Sequence, residues 1–187
     1  MPPLPPGETS LITLRLRGTL PAATARELQA VLAAAQAMGL CHHHARKQVF
    51  GRFDAVLDAM PTGPHYLENE VIAEKLAGEL AMLAELGFVV HGFAILPNHA
   101  HAVLHLPARS NLNFAKALDL LHQRTEAACR RLVRPQLPPE APFWQPGWHE
   151  VPLADADELT RALAYLRRQT HYERLTERYQ TWPYVFN

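Results

Sequence analysis

FVVHGFAILPNHAHAVLHL, residues Phe88 to Leu106, is apolar and rich in β-branched and aromatic side chains, with a single interruption at Pro97-Asn98. It predicts two strands meeting at a bend. Side chains alternate faces along a strand, so His99 and His101 point the same way with their Cα atoms about 6.5–7 Å apart. Two imidazoles at that separation can converge on one metal ion, or can simply stand exposed on an edge strand. The segment is hydrophobic enough to be a central strand, where unpartnered imidazoles carry a desolvation cost, so the pair needs partners. His105 shares the face but lies about 13 Å beyond His101 at the usual strand rise, too far to ligate the same ion. A third ligand must come from elsewhere.

The best supplier is DADELTRALAYLRRQTHYERLT, Asp155 to Thr176. Asp155 or Asp157 can cap its start, acids crowd the first turn, and Leu159, Ala162, Leu163 and Leu166 form a helical apolar stripe. Tyr165 and Gln169 are four residues apart, so they stack on one side of this helix. At 100° per residue they fall beside the apolar stripe, facing any sheet on which the helix packs. Tyr172 lies two turns beyond Tyr165, about 10 Å along the axis, so only one of the two can serve an ion near Gln169.

A strand carrying PNHAH followed far downstream by a helix with YxxxQ resembles the single-tyrosine HUH transposases, and more narrowly the REP-associated tyrosine transposases. Further stretches fit in order: an early strand ITLRLRGTLP (Ile12 to Pro21), FDAVLDAMPTGPHYL (Phe53 to Leu67), FWQPGWHE (Phe143 to Glu150) and TWPYVFN (Thr181 to Asn187). The resemblance implies an α+β ferredoxin-like HUH fold, an antiparallel sheet with helices packed on it. It also implies that His99, His101 and Gln169 bind a divalent metal, Mg²⁺ or Mn²⁺, and that Tyr165 is the nucleophile. The activity implied is cleavage and rejoining of single-stranded or hairpin DNA from a repetitive palindromic element, through a 5′-phosphotyrosine intermediate. Family members occur as monomers and as homodimers that share sites. This chain departs from the family's usual YIxxNP, with Gln169 in place of Asn and no proline. His122 stands where relatives carry lysine, and Pro146 and Glu150 where they carry arginine and aspartate. These departures motivate a second reading, a catalytically weak or inactive sequence-specific DNA-binding protein descended from such enzymes. A third is a metallohydrolase working through metal-bound water.

At 187 residues and 48% hydrophobic content, the chain can bury one good core and is expected to form one domain, with residues 1–10 as a flexible N-terminal segment and 134–146 as a proline-rich connector. There is no stretch of about 20 apolar residues, and the start MPPLPPGETS lacks the basic and apolar regions of a signal peptide; no membrane association and a cytoplasmic location are expected. Cys41 and Cys129 lack CxxC spacing and read as reduced structural thiols.

Charge is balanced, 18 Lys+Arg against 18 Asp+Glu, which is unusual for a DNA binder. Its distribution is uneven. Between Arg109 and Arg134 stand Arg109, Lys116, Arg124, Arg130, Arg131 and Arg134 against Asp119 and Glu126, and the tyrosine helix adds Arg161, Arg167, Arg168, Arg174 and Arg178. Arg124, Arg130, Arg131, Arg167 and Arg168 are the expected DNA contacts, through phosphate, unless they are only solvated helix faces.

Elsewhere, Ala22 to Met38, Asn69 to Leu86 and Phe114 to Leu132 read as helices. His42, His43 and His44 read as an exposed loop or a helix start. Trp144 and Trp148 can stack on unpaired bases or anchor a loop to the core.

Overall fold

The computed structural model describes residues 4–39, 42–59, 63–133, 136–138, 140–169 and 184–186. Its centre is the Phe88–Leu106 stretch. Strand β2 (Val89–Ile95) and strand β3 (His99–Pro107) pair antiparallel across the Pro97-Asn98 bend, which the Leu96 N–H closes by donating to the His99 carbonyl at 2.9 Å. Two outside groups hold the bend: the Leu67 N–H donates to the Pro97 carbonyl and the Leu16 N–H to the Asn98 carbonyl. Backbone groups that a proline turn would leave unpaired are thereby satisfied.

Strand β1 (Gly7–Arg15) lies on the other side of β3, with Thr13 opposite His101 and Arg15 opposite His99. Strand β4 (His149–Pro152) flanks β1, placing His149 opposite Thr13, and strand β5 (Val185–Phe186) flanks β2. The five-stranded order is β4-β1-β3-β2-β5, all antiparallel, with the histidine strand in the middle.

Burial on both faces follows from the alternation in β1. Ile12, Leu14 and Leu16 join the core made with helices α3 (Glu70–Met82) and α4 (Phe114–Leu132), together with Ile95, Ala100, Ala102 and Leu104. Leu11 faces the other way, with Ala94, Val103 and Val151, against helix α5 (Ala156–Arg168). Each fully buried Leu or Ile side chain contributes about 1.5–3 kcal/mol through removal from water. The sequence β1, α3, β2, β3, α4, β4 is therefore a ferredoxin-like unit with both helices on one face. The opposite face, carrying His99 and His101, is covered by α5 and by a helical pair inserted after β1: α1 (Ala22–Ala37) and α2 (His42–Ala59). These two helices pack through Leu28, Val49, Phe53 and Leu57.

The structure corrects two expectations. Residues 1–10 are not all a loose segment, since Gly7 to Ser10 already pair with Leu104 to Pro107. The early strand spans Gly7–Arg15 rather than Ile12 to Pro21, because its pairing with β3 ends at Arg15 and Leu16 bridges instead to Trp144. Of the two expectations for the three consecutive histidines, the helix start holds: they open helix α2. The α4 limits agree with the expected Phe114 to Leu132. The tyrosine helix agrees through Gln169; the rest of Asp155 to Thr176, with Tyr172 and Arg174, lies outside the described residues, as do Cys41, Arg134 and Arg178. Among the described residues, no helix is long and apolar enough to cross a membrane.

Candidate active site

Both histidines are buried, at 1% and 0% exposure, and each is oriented by a partner on its far nitrogen. Asn98 sets the first. Its side-chain N–H₂ donates to the Leu57 carbonyl of α2 at 3.0 Å, which fixes the amide so that its oxygen faces His99 Nδ1 at 2.7 Å. An amide oxygen only accepts, so Nδ1 carries the proton and Nε2 of neutral His99 is a bare lone pair. His101 Nδ1 meets the Thr13 hydroxyl at 2.9 Å, and a hydroxyl donates or accepts, so His101 keeps both tautomers. The two Nε2 atoms end 3.1 Å apart. Two lone pairs do not rest at that distance without a proton or a cation between them.

Helix α2 brings a carboxylate to the same point. Asp54 Oδ1 is buried and stands 3.0 Å from His101 Nε2, with no other polar partner among the described residues. Asp54, His99 and His101 place one ligand atom each within 4.8 Å of one another, all buried. Asp58, one helical turn on, reaches within 3.8 Å of His99 Nε2. A buried carboxylate oxygen beside a bare imidazole nitrogen and a second imidazole forms a donor set that suits a divalent cation, so the residues fit a metal.

Helix α5 supplies the phenol. Asp155 caps it by accepting from the Glu158 N–H at 2.8 Å, Asp157 and Glu158 occupy its first turn, and Arg167 and Arg168 its last, all favourable to the helix dipole. Its buried Ala162 and Leu166 pack on Ala94 and Val103 of the histidine face. That packing brings the half-buried Tyr165 hydroxyl to 3.2 Å from His101 Nε2, where it also donates to Asp54 Oδ2. Phe50 of α2 holds the phenol edge-on at 5.7 Å and His101 at 6.1 Å between ring centres. Tyrosine, histidines and aspartate come together within a single chain.

Gln169 is the C-cap of α5, one turn beyond Tyr165, and is fully buried. Neither atom of its amide has a hydrogen-bond partner among the described residues. The expected DNA-contacting arginines divide between two layers. Arg167 and Arg168 are exposed on α5, on the side of the histidines. Arg124, Arg130 and Arg131 ride on α4 across the sheet, where Arg124 pairs with Glu79 and Arg130 with Glu126. Trp144 is a core residue at 3% exposure, its indole N–H donating to Thr125 at 2.8 Å, so it anchors its loop rather than stacking on bases. The half-buried His122 stacks on it, 5.5 Å between ring centres. Cys129 is a buried thiol pushed up to about 12 by desolvation, hence inert.

Sequence reasoning missed Asp54. The signal was present in helical spacing: Val49, Phe50, Phe53 and Leu57 form an apolar stripe, and Asp54 and Asp58 are one turn apart beside it.

Desolvation first, then the charge of His101, push His99 down to about 3, against an upward pull from Asp54. Desolvation and the Arg46 charge push His149 down to about 4. Burial alone would raise the Asp54 carboxyl, but the charge and hydrogen bonding of His101, the charge of His99 and the Tyr165 hydroxyl outweigh it and hold it below its ordinary value. A consequence for stability follows. Unfolded histidines take up protons near pH 6.5, whereas His99 and His149 in the fold resist them until about pH 3 and pH 4. The unfolded state therefore binds more protons in that window, and folding stability, full above pH 6.5, falls as pH drops toward 4. Two such groups give a slope approaching about 2.7 kcal/mol per pH unit. Asp54 weakens the fold only lower, below the ordinary carboxylate range. Guanidinium titrations in EDTA at pH 7, 6 and 5 measure this, and a flat stability across them would contradict the burial of neutral imidazoles.

No family model matches the sequence, and no curated protein does. Among solved structures, the chain is similar to a REP-associated tyrosine transposase bound to a REP hairpin, at 13% identity and a TM-score of 0.50, covering 99% of this chain and 79% of that one. It also aligns with a candidate transposase from Deinococcus radiodurans R1 at 10% identity and a TM-score of 0.38, covering 90% and 92%, too low a score for any inference. The first likeness fits the family that PNHAH and YxxxQ resemble, and at such identity it shows the fold: α+β, with the antiparallel sheet of the HUH proteins.

Proposed function

We propose that this protein is a metal-dependent DNA strand transferase of the single-tyrosine HUH kind. The observation that carries the reading is the Tyr165 hydroxyl at 3.2 Å from His101 Nε2, hydrogen-bonded to Asp54 within a buried Asp/His/His cluster. A lone pair of buried histidines has many explanations; a phenol delivered to them by a remote helix has few.

His99, His101 and Asp54 would hold a divalent cation, Mn²⁺ or Mg²⁺, with Gln169 as a further ligand from α5. Such a cation, when bound, neutralises charge on a non-bridging phosphate oxygen. The remaining chemistry belongs to the side chains. A free phenol loses its proton only near pH 10, but Tyr165 already donates to the carboxylate of Asp54, which stays ionised well below neutrality. As the phenolic oxygen attacks phosphorus, its proton passes to Asp54, the bond from phosphorus to the 3′ oxygen breaks, and Asp54 hands that proton to the departing oxygen, so that the strand leaves with a 3′-hydroxyl. The 5′ end stays on Tyr165 as a phosphodiester, so its bond energy is kept and the 3′-hydroxyl of the same or another strand can reverse the step. Asn98 and Thr13 keep both imidazoles aimed throughout.

Single-stranded or hairpin DNA of a repetitive palindromic element is the proposed substrate, supported by the hairpin on the structural neighbour. The protein would act in the cytoplasm as a monomer or homodimer, with Tyr165 in cis. Arg167 and Arg168 would contact phosphate near the site; Arg124, Arg130 and Arg131 would contact only DNA that passes round to the α4 layer. The test is incubation of the full chain with a 5′- or 3′-labelled hairpin oligonucleotide and Mn²⁺, followed by a denaturing gel. The expected product is the 3′ label retained on the protein, because the fragment downstream of the break is joined through its 5′ phosphate, and the 5′ label released on a strand ending in 3′-hydroxyl. The balanced overall charge and the arginines placed across the sheet favour the second reading, a DNA-binding protein that no longer cleaves; it predicts a shifted band on a native gel and no covalent product.

A further inference from the structure

Beside the histidine pair, on the same face of the sheet, lies a cavity of about 220 Å³ walled by Thr13, Arg15, Phe53, Gln145, Trp148 and His149, with the apolar side of α1 opposite. Thr13 belongs to both places: its hydroxyl holds His101, so the cavity and the cluster share a wall. The volume is below the roughly 300–1,000 Å³ of sites for larger ligands, which suits a single nucleotide better than a length of strand.

The wall carries one charge, Arg15, and no acid. Nearby carboxylates are engaged elsewhere, Glu150 with Arg46, Glu158 with Lys47 and Asp54 with His101. Arg15 is half-buried and has no ion-pair partner among the described residues, so a partly desolvated guanidinium faces the cavity without a counter-charge. That is an attraction for an anion, and a guanidinium fork matches phosphate. Beyond it the wall is flat. Trp148 offers an indole plane, and the His149 ring is clamped by Phe53 at 4.7 Å and Phe50 at 5.9 Å while its buried Nε2 has no hydrogen-bond partner among the described residues. The loop bearing these rings is fixed in place: the Gln145 N–H donates to the Arg15 carbonyl at 2.9 Å, and Trp144 is pinned to Thr125.

We propose that this cavity binds one unpaired nucleotide adjoining the phosphate held at the histidine pair, its own phosphate on Arg15, its base against Trp148 and a base edge on His149 Nε2. The proposal rests on the reading of the site as one that handles a DNA strand, but its test does not need cleavage. The full chain in EDTA is titrated calorimetrically with each deoxynucleoside 5′-monophosphate and with inorganic phosphate. Saturable binding at one site is expected, tighter for at least one nucleotide than for phosphate, and weakened about tenfold or more by Arg15→Gln and by Trp148→Ala. Gln29→Trp, which fills the cavity from the exposed surface of α1 without touching the core, is expected to abolish it even if the other two variants fold poorly. Nucleotide binding that is unchanged in Gln29→Trp, or no tighter than that of phosphate, overturns the proposal. Covalent adduct formed by a chain that binds no nucleotide overturns it too while leaving the cleavage reading intact; nucleotide binding by a chain that forms no adduct supports the cavity and removes the cleavage.

Discussion

Tyr165→Phe is expected to eliminate the covalent protein–DNA product altogether and to lower strand cleavage by a factor on the order of 1,000 or more, because the attacking atom itself is gone. The substitution is well suited to the question. The ring contacts with Phe50 at 5.7 Å and His101 at 5.4 Å do not need the hydroxyl, so the helix should dock as before. What is lost in the fold is the hydrogen bond to Asp54, and a buried carboxylate oxygen deprived of its donor costs about 1–3 kcal/mol. Mn²⁺ affinity, measured calorimetrically, should be retained, since the imidazoles and Asp54 are untouched. Adduct formation by Tyr165→Phe would assign the nucleophile to another residue, Tyr172 first among them. Hydrolysis of a small phosphodiester that survives the substitution without any adduct would instead favour a metallohydrolase working through bound water.

Much of this site could be read before any coordinates, and the boundary between what could and could not is physical. Phe88 to Leu106 declares itself because strand formation there is written in local chemistry: β-branched residues, one proline, and a two-residue period that puts His99 and His101 on one side. Tyr165 is equally local, since a capped, strongly amphipathic helix fixes its own face. The weak places are those where long-range packing decides. Helix α2 contains Gly51, begins with three histidines and has little net hydrophobicity, so its helicity depends on burying Val49, Phe53 and Leu57 against Leu28 of α1. Reading it as an unassigned stretch hid Asp54. Strand β4 is four residues, two of them polar, and exists because Ser10 to Thr13 offer it an edge. The pairing of Thr13 with His101 spans 88 positions and has no signature in either segment. A motif can name the ligands; the sheet register supplies the groups that orient them.

The identity of the third ligand is where the sequence and the coordinates pull in different directions, and Asp54→Asn tests it. Motif resemblance points to Gln169, whereas the cluster that geometry closes is Asp54, His99 and His101. A carboxylate contributes a full charge to a divalent cation and a carboxamide only a dipole, so the aspartate should dominate. Outer groups that merely orient ligands cost about 10–100-fold in metal affinity when removed. Loss of the charged ligand is therefore expected at the upper end or beyond, on the order of a 100-fold rise in the Mn²⁺ dissociation constant for Asp54→Asn. Gln169→Leu, which removes an amide whose two polar atoms are buried without partners among the described residues, should change it by about tenfold and leave the fold as stable or more so. Asp54→Asn has a second expected effect that Gln169→Leu lacks. With the acceptor of the Tyr165 proton gone, the pH at which cleavage reaches half its maximum should move upward toward the free phenol value of about 10, even at saturating Mn²⁺. A variant that binds Mn²⁺ as the native chain does, with an unshifted pH profile, would remove Asp54 from both roles and return the third position to Gln169.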